Sequence, residues 1–281
     1  MDIIEDPAQM REWSRVRRVK GRRVALVPTM GCLHEGHLSL VDIAGSAADA
    51  VAVSIFVNPI QFGPAEDFEK YPRAFDRDVE LCRKRGVAVV FAPDSEMFYA
   101  GDHSVYVDET KLSSGLCGAV RPGHFRGVAT VVCKLLNVVE PDVAVFGRKD
   151  AQQAAVIGRM LRDLNMPQQM ITGPIVREAD GLAMSSRNRY LSQGERSQAV
   201  GIYRGLVAAK NESRCGVNNS DGLRSVFCEE LTACAADAKI EYVEVVDAET
   251  MQCLDTIDVP ALLLVAVKIG STRLIDNIEL G

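Results

Sequence analysis

In the first half of the chain the hydrophobic positions gather into short unbroken runs, separated by longer stretches of mixed polarity. Residues 23–28 (Arg-Val-Ala-Leu-Val-Pro), 50–56, 87–91 and 142–146 are nearly all apolar and of strand length. Unbroken rather than alternating runs are the mark of strands buried on both faces, as in a parallel sheet. Between them, residues 36–48, 71–85 and 124–139 have helix length. Trp13 and the basic run 15–23 read as an amphipathic first helix with a solvated face. A βαβα rhythm of this kind predicts a Rossmann-like, doubly wound parallel α/β sheet. Ligands of such sheets bind at the carboxyl ends of the strands.

The pattern changes near Thr172-Gly-Pro174. Beyond it, residues 193–210 and 221–236 read as helices, 211–221 as the loop between them, and 240–247 and 261–268 as strands, with 272–276 as a third. This predicts a smaller C-terminal α+β domain, with the chain dividing into residues 1–175 and 176–281.

Composition narrows the partners. The 281 residues carry a net charge of −6 and are 47% hydrophobic, ordinary for a globular protein and short of the basic surplus that phosphate-backbone binding favours. No nucleic-acid partner is expected. No apolar run reaches membrane-span length and no secretory signal opens the chain, so neither a membrane nor export is expected. The eight cysteines stand singly, with no C-x-x-C pair, which suits a reducing cytoplasm better than a zinc or disulfide site.

The chemistry concentrates in Pro28-Thr-Met-Gly-Cys-Leu-His34-Glu-Gly-His37, directly after the first long strand. Residues i and i+3 share a helix face, so His34 and His37 point the same way at the positive end of a helix. Gly31 and Gly36 let backbone approach a ligand. Such a corner suits ATP phosphates. It is no P-loop, since His37-Leu38 follow Gly36 where lysine and a hydroxyl residue would be needed. Nor does it have the histidine spacing of a zinc protease. A pair of merely structural histidines is the plain alternative.

His34-Glu-Gly-His37 has the His-x-Gly-His pattern of the nucleotidyltransferase superfamily. The longer string, followed in order by Asn58-Pro-Ile-Gln61, Tyr71-Pro-Arg73, Arg121-Pro-Gly-His124-Phe-Arg-Gly127, Gly147-Arg-Lys149-Asp150, Gln152-Gln153, Met184-Ser-Ser-Arg187 and Leu274-Ile-Asp-Asn277, resembles the pantothenate synthetase (pantoate–β-alanine ligase) family along essentially the whole chain. The resemblance implies ATP-dependent condensation of pantoate with β-alanine through pantoyl adenylate, releasing pyrophosphate and AMP.

It also implies the site. His37, His34, Lys149 and Arg187 would be catalytic. ATP would be bound by Met30, Gly31, Cys32, Leu33, His34, Glu35, Gly36, His37, Gly147, Arg148, Lys149, Asp150, Val176, Met184, Ser185, Ser186 and Arg187. Asn58, Gln61 and Gln153 would bind pantoate or β-alanine, against an apolar wall of Met30, Phe56, Val57 and Phe62. Mg²⁺ would accompany ATP with protein ligands unassigned: Asp76 and Asp78 stand as contacts or, with more weight, as a solvated helix face. The Arg121–Arg126 segment is read as supporting the pocket, and His103 as a surface or loop residue. A homodimer in the cytoplasm is expected.

Two positions depart from the family pattern, Arg148 in place of Glu or Gln and Ala151 in place of a bulkier residue; neither removes a reacting group. Cys32 in the nucleotide loop is expected to confer sensitivity to thiol reagents. The rivals are a related transferase acting on a phosphorylated acceptor, which would lack the Asn58/Gln61 and Gln152-Gln153 sets, and a nucleotide-binding protein without turnover.

Overall fold

The computed structural model describes residues 1–64 and 66–280. Two compact units divide the chain. The first comprises residues 1–111, 121–148 and 156–174, and the second 112–120, 149–155 and 175–281. The main break falls after Pro174. The two short segments that belong with the second unit carry no mark in the sequence that separates them from their neighbours.

The first unit is built on six parallel strands: β1 (Asp2–Ile4), β2 (Val24–Thr29), β3 (Ala50–Ile55), β4 (Val89–Phe91), β5 (Val143–Gly147) and β6 (Gln169–Gly173). They lie in the order β1-β4-β3-β2-β5-β6. From β2 the chain steps outward to β3 and β4, then returns to β5 and β6 on the other side. The order therefore reverses between β2 and β5, which pair at Ala25↔Val143 and Leu26↔Ala144. That reversal is where open α/β sheets take their ligands. The central strands are buried along nearly their whole length, as their unbroken apolar sequence requires.

Helices α1 (Pro7–Val19), α2 (Glu35–Ala47), α3 (Phe75–Lys84), the one-turn α4 (Ser95–Phe98) and α6 (His124–Val139) belong to this unit, α5 (Leu116–Val120) to the second, while α7 (Ala151–Asp163) begins in the second and ends in the first. Local signals set their ends. In α1, Asp6 caps the Gln9 amide, Pro7 occupies the first turn, and Arg17 and Arg18 the last. The core of the unit gathers Val27, Leu33, Leu40, Val41, Val53 and Val145.

In the second unit, α8 (Gln193–Arg214) and α9 (Ser220–Cys234) precede an antiparallel meander of β7 (Lys239–Asp247), β8 (Ala261–Ile269) and β9 (Thr272–Leu280). Its core collects Ile202, Leu206, Leu223, Phe227, Leu263 and Val265. Helix α8 opens with a capping box of Ser192 and Glu195.

Five details differ from the pattern-based expectation. Helix α1 stops at Val19, with Lys20 as its C-cap, short of the end of the basic run at Arg23. Strands β1 and β6 lie at the sheet's edges and are short or half-exposed, so they lack the buried apolar run that marks the others. The helix expected from Tyr71 begins at Phe75, because Pro72 disfavours helical backbone at the residue before it. Helix α8 continues to Arg214, through polar residues whose pattern reads as loop. Strand β9 runs on to Leu280, beyond the expected end at Asp276.

Candidate active site

Strand β2 hands directly into the nucleotide loop. Thr29 Oγ1 donates to the Ser54 carbonyl on β3 at 2.7 Å and accepts from the Gly31 amide at 3.2 Å. The backbone then turns left-handed at Gly31 (φ +83°) and at Cys32 (φ +50°). A β-carbon on Gly31 would stand 3.1 Å from Asp78 Oδ2 and from Ile55 Cγ2, so only glycine serves both the turn and the space.

Asp78 holds this loop. Its Oδ2 accepts the Cys32 amide at 2.6 Å and its Oδ1 the Leu33 amide at 2.8 Å. It is fully buried, whereas Asp76 is exposed. The expectation of a solvated face therefore holds for Asp76 and fails for Asp78. Two positions along a helix amount to roughly half a turn, which carries Asp78 inward, and two backbone N–H groups compensate its charge. Burial and the nearby Asp78 push the Cys82 thiol up to about 12. Leu33 anchors the loop in the core.

His34 then caps α2, its backbone extended at φ −137°. The rings of His34 and His37 lie 4.0 Å apart. The His34 amide donates to His37 Nδ1 at a long 3.4 Å. That contact fits a ring whose Nδ1 accepts, the tautomer that leaves Nε2–H as a donor. Both rings are half-buried. Glu35, between them, is exposed and paired with Arg85 at 2.7 Å. Cys32 is only 2% exposed; the expected thiol sensitivity is corrected, since the loop's turn into the core covers the sulfur.

A second constellation follows β3. Pro59–Gln61 form a tight turn capped by Asn58. Asn58 Nδ2 donates to Gln61 Oε1 at 2.9 Å and to the Gly127 carbonyl at 3.1 Å, while its Oδ1 accepts the Tyr99 hydroxyl at 2.9 Å. Gln61 Nε2 in turn donates to Met30 Sδ at 3.1 Å. The hydroxyl thus fixes the orientation of the Asn58 amide, and Asn58 fixes that of Gln61. Helix α6 presses against the same turn at Gly127, where a β-carbon would lie 2.4 Å from the Ile60 carbonyl oxygen.

His124 completes the support. Its Nδ1 lies 2.9 Å from the Gln61 carbonyl and its Nε2 2.9 Å from Arg121 Nη1, which fits a neutral ring donating to the first and accepting from the second. Arg121 grips Glu66 through two 2.6 Å bonds. Burial works against the charge of Glu66. Arg121, with the Gly63 amide and His124, nevertheless holds its carboxyl below the ordinary value. His103 is half-buried between the rings of Tyr99 and Tyr106.

The second unit presents its own group. Gly147 ends β5 and Arg148, exposed, is the last residue of its segment of the first unit. Lys149 and Asp150 follow in a tight turn. Among the described residues Lys149 Nζ has no hydrogen-bond or ion-pair partner. Its carbonyl, however, accepts Asn277 Nδ2 at 3.0 Å. Gln152 is committed to structure: its Nε2 donates to the Leu112 and Gly115 carbonyls and its Oε1 accepts the Cys117 amide. Gln153, next along α7, is half-buried, and its side chain has no hydrogen-bond partner among the described residues. Ala151 packs with Val246, Leu262 and Leu264, so the smaller side chain lies in a filled cluster.

Val176 and Met184 are paired across a hairpin, the Met184 amide donating to the Val176 carbonyl at 3.0 Å. Ser185 then caps the turn Ser186–Tyr190, accepting the Arg187 amide at 3.3 Å. Ser186 is buried, and Ser185 and Arg187 are half-buried. The first unit therefore gathers Met30, His34, His37, Asn58 and Gln61, and the second Lys149, Asp150, Gln153 and the Met184–Arg187 loop. His124 supports the turn at Gln61, as expected of the Arg121–Arg126 segment; Tyr99 and Arg177 carry no signal in sequence, and the supporting parts of Asp78 and Asp276 are shown only by their partners in space.

A reversing parallel sheet with a histidine pair at the helix that leaves its central strand defines a doubly wound α/β protein with its candidate site at the switch point of the sheet. The sequence model of the family described as Pantoate-beta-alanine ligase matches residues 2–279. A pantothenate synthetase of Thermotoga petrophila is 52% identical over 281 residues, covering 100% of both chains. The crystal structure of the pantothenate synthetase of Thermus thermophilus matches with a TM-score of 0.93 at 42% identity, covering 99% of each chain. That of the pantoate-β-alanine ligase of Francisella tularensis, complexed with β-γ ATP and β-alanine, matches at 0.82 and 32% identity, covering 99% of this chain and 97% of that one. The chain belongs to the pantoate-β-alanine ligase family.

Proposed function

We propose that this enzyme joins pantoate to β-alanine in two steps at the expense of ATP. A pantoate carboxylate oxygen attacks the α-phosphorus and pyrophosphate leaves, giving pantoyl adenylate. The amine of β-alanine then attacks the acyl carbon, the bond to AMP breaks, and the nitrogen sheds a proton as pantothenate forms. The observation that carries this reading is the stacked pair His34 and His37 at the start of α2, at the end of a loop pinned by Asp78, with a Gln61 in the same unit whose amide is already oriented.

His37, with Nε2 as donor, and His34 stabilise charge growing on the phosphate oxygens. Lys149 and Arg187 are the phosphate cations, with hydroxyls from Ser185 and Ser186. Asp150 is assigned to the ribose hydroxyls, and Gln61 and Gln153 to the hydroxyls and carboxylate of pantoate. Asn58, 1% exposed, acts through Gln61. The remaining backbone of the Met30–His37 loop, Gly147, Arg148, Val176 and Met184 lines the nucleotide.

Mg²⁺ accompanying ATP would supply neutralisation of phosphate charge. No group of three or more acidic, cysteine or histidine side chains fit to cage a metal occurs among the described residues, and a Mg²⁺ ion held mainly by substrate oxygens and water would need none. No helix among the described residues is long and apolar enough to cross a membrane. The free cysteines suit a reducing cytoplasm, and a homodimer is carried over from the family resemblance.

The test follows pyrophosphate and AMP release with MgATP, adding pantoate and then β-alanine. Pyrophosphate that requires pantoate, with sustained AMP and pantothenate only after β-alanine, is the expected result, lost in His37→Ala and Lys149→Ala. A folded protein that binds ATP without pantoate-dependent turnover would overturn it.

A further inference from the structure

Lys149 is held in place by its backbone rather than by its side chain. Asn277 on β9 binds its carbonyl at 3.0 Å. The neighbouring Asp276, 3% exposed, is gripped by Arg177 through bonds of 2.6 and 3.0 Å. Asp276 Oδ1 also accepts the Asn277 amide at 2.8 Å.

Arg177 reaches further. Its Nη1 donates to the Gly181 carbonyl at 3.1 Å and its Nη2 to the Asn277 carbonyl at 3.3 Å, with the guanidinium 4.3 Å above the Tyr203 ring. Arg177 also stands on the hairpin arm opposite Ala183. Ala183 leads directly into Met184-Ser185-Ser186-Arg187, and its carbonyl accepts Asn188 Nδ2 at 3.1 Å. One buried ion pair therefore joins the strand that fixes Lys149 to the hairpin that carries Arg187.

Burial pushes the Asp276 carboxyl upward, against the pull of Arg177, the Asn277 amide and the charge of Lys149. Lys149 thus lies within the field of Asp276 without an ion pair to it. A buried pair is a poor source of net stability compared with apolar packing, but it fixes register well.

We infer that Arg177, Asp276 and Asn277 are positioning residues that set the Lys149 turn and the Ser185–Arg187 loop in one fixed arrangement for the ATP phosphates. This rests on the phosphate roles proposed for Lys149 and Arg187. A bidentate guanidinium is suited to the task, because its planar fork fixes angle as well as distance. Lysine in its place keeps the charge and loses the fork.

The test is a double-mutant cycle read by binding of a non-hydrolysable ATP analogue with Mg²⁺ to the full chain. Asp276→Asn and, as a second probe that leaves the ion pair intact, Asn277→Ala are each made in the wild type and in Lys149→Ala; thermal melting checks that all fold. Positioning predicts that each weakens binding about tenfold in the wild type and much less once Lys149 is absent. Equal losses in both backgrounds would overturn the inference, as would unchanged affinity in Asn277→Ala and Asp276→Asn. If Asp276→Asn does not fold, Asn277→Ala decides alone. A wild type that binds the analogue but shows no pantoate-dependent pyrophosphate release defeats the ligase reading while the cycle still decides this one. A wild type that does not bind the analogue defeats both.

Discussion

Gln61 shows how a flexible amide becomes a defined one. Left to itself its side chain samples several rotamers; here Tyr99, Asn58 and Met30 select one orientation. Tyr99→Phe removes the hydroxyl that Asn58 Oδ1 accepts and leaves a buried acceptor with one partner fewer, a loss of about 1–3 kcal/mol. Thermal or urea unfolding should register that cost, and the KM for pantoate should rise several-fold with the KM for ATP little changed. Glu66 belongs to the same scale. Because its folded carboxyl titrates below its unfolded value, its contribution is present above the unfolded value and fades as pH falls through the folded one. In Glu66→Gln, the loss of stability between about pH 5 and pH 3 should be shallower than in the wild type. Stability curves measured across that range decide it.

Among elements, α3 governs a loop that is distant in sequence. Asp78→Asn keeps the shape and replaces one acceptor oxygen with an N–H donor facing an amide of Cys32 or Leu33. The turn at Gly31–Cys32 should loosen, and affinity for ATP should fall by about tenfold or more, read by titration alongside a melting curve. The same helix shows what a sequence can and cannot disclose. The central strands and the histidine pair were legible because unbroken apolar runs and the i, i+3 spacing are local signals. Asp78 was not, since an acidic residue in the first turn of a helix reads as solvated until its neighbours 45 and 46 positions away are known. Edge strands β1 and β6 escaped for a related reason: half-exposed strands have no unbroken run. For Gln152 and Gln153 the sequence carries an assignment to the pocket only through the family resemblance, which names Gln153; the clamp that Gln152 forms on the carbonyls of 112 and 115 is known only from the structure.

At the scale of the molecule, the chain does not finish one unit before starting the other. Residues 112–120 and 149–155 belong with the C-terminal unit although both are followed by returns to the first. Leu116 and Ala151 from those segments pack with Val246, Leu262 and Leu264. Cut from the rest, residues 175–281 would expose that apolar face to water and lose Lys149 and Gln153 as well. Such a fragment should aggregate or remain partly unfolded, as light scattering and near-ultraviolet dichroism can show; a monomeric fragment with native-like near-ultraviolet dichroism would contradict the expectation. The stitching also bears on heredity. A gene segment encoding only the tail cannot be lent to another protein as a ready-made module, so this unit is expected to be inherited together with the sheet that its two borrowed segments interrupt.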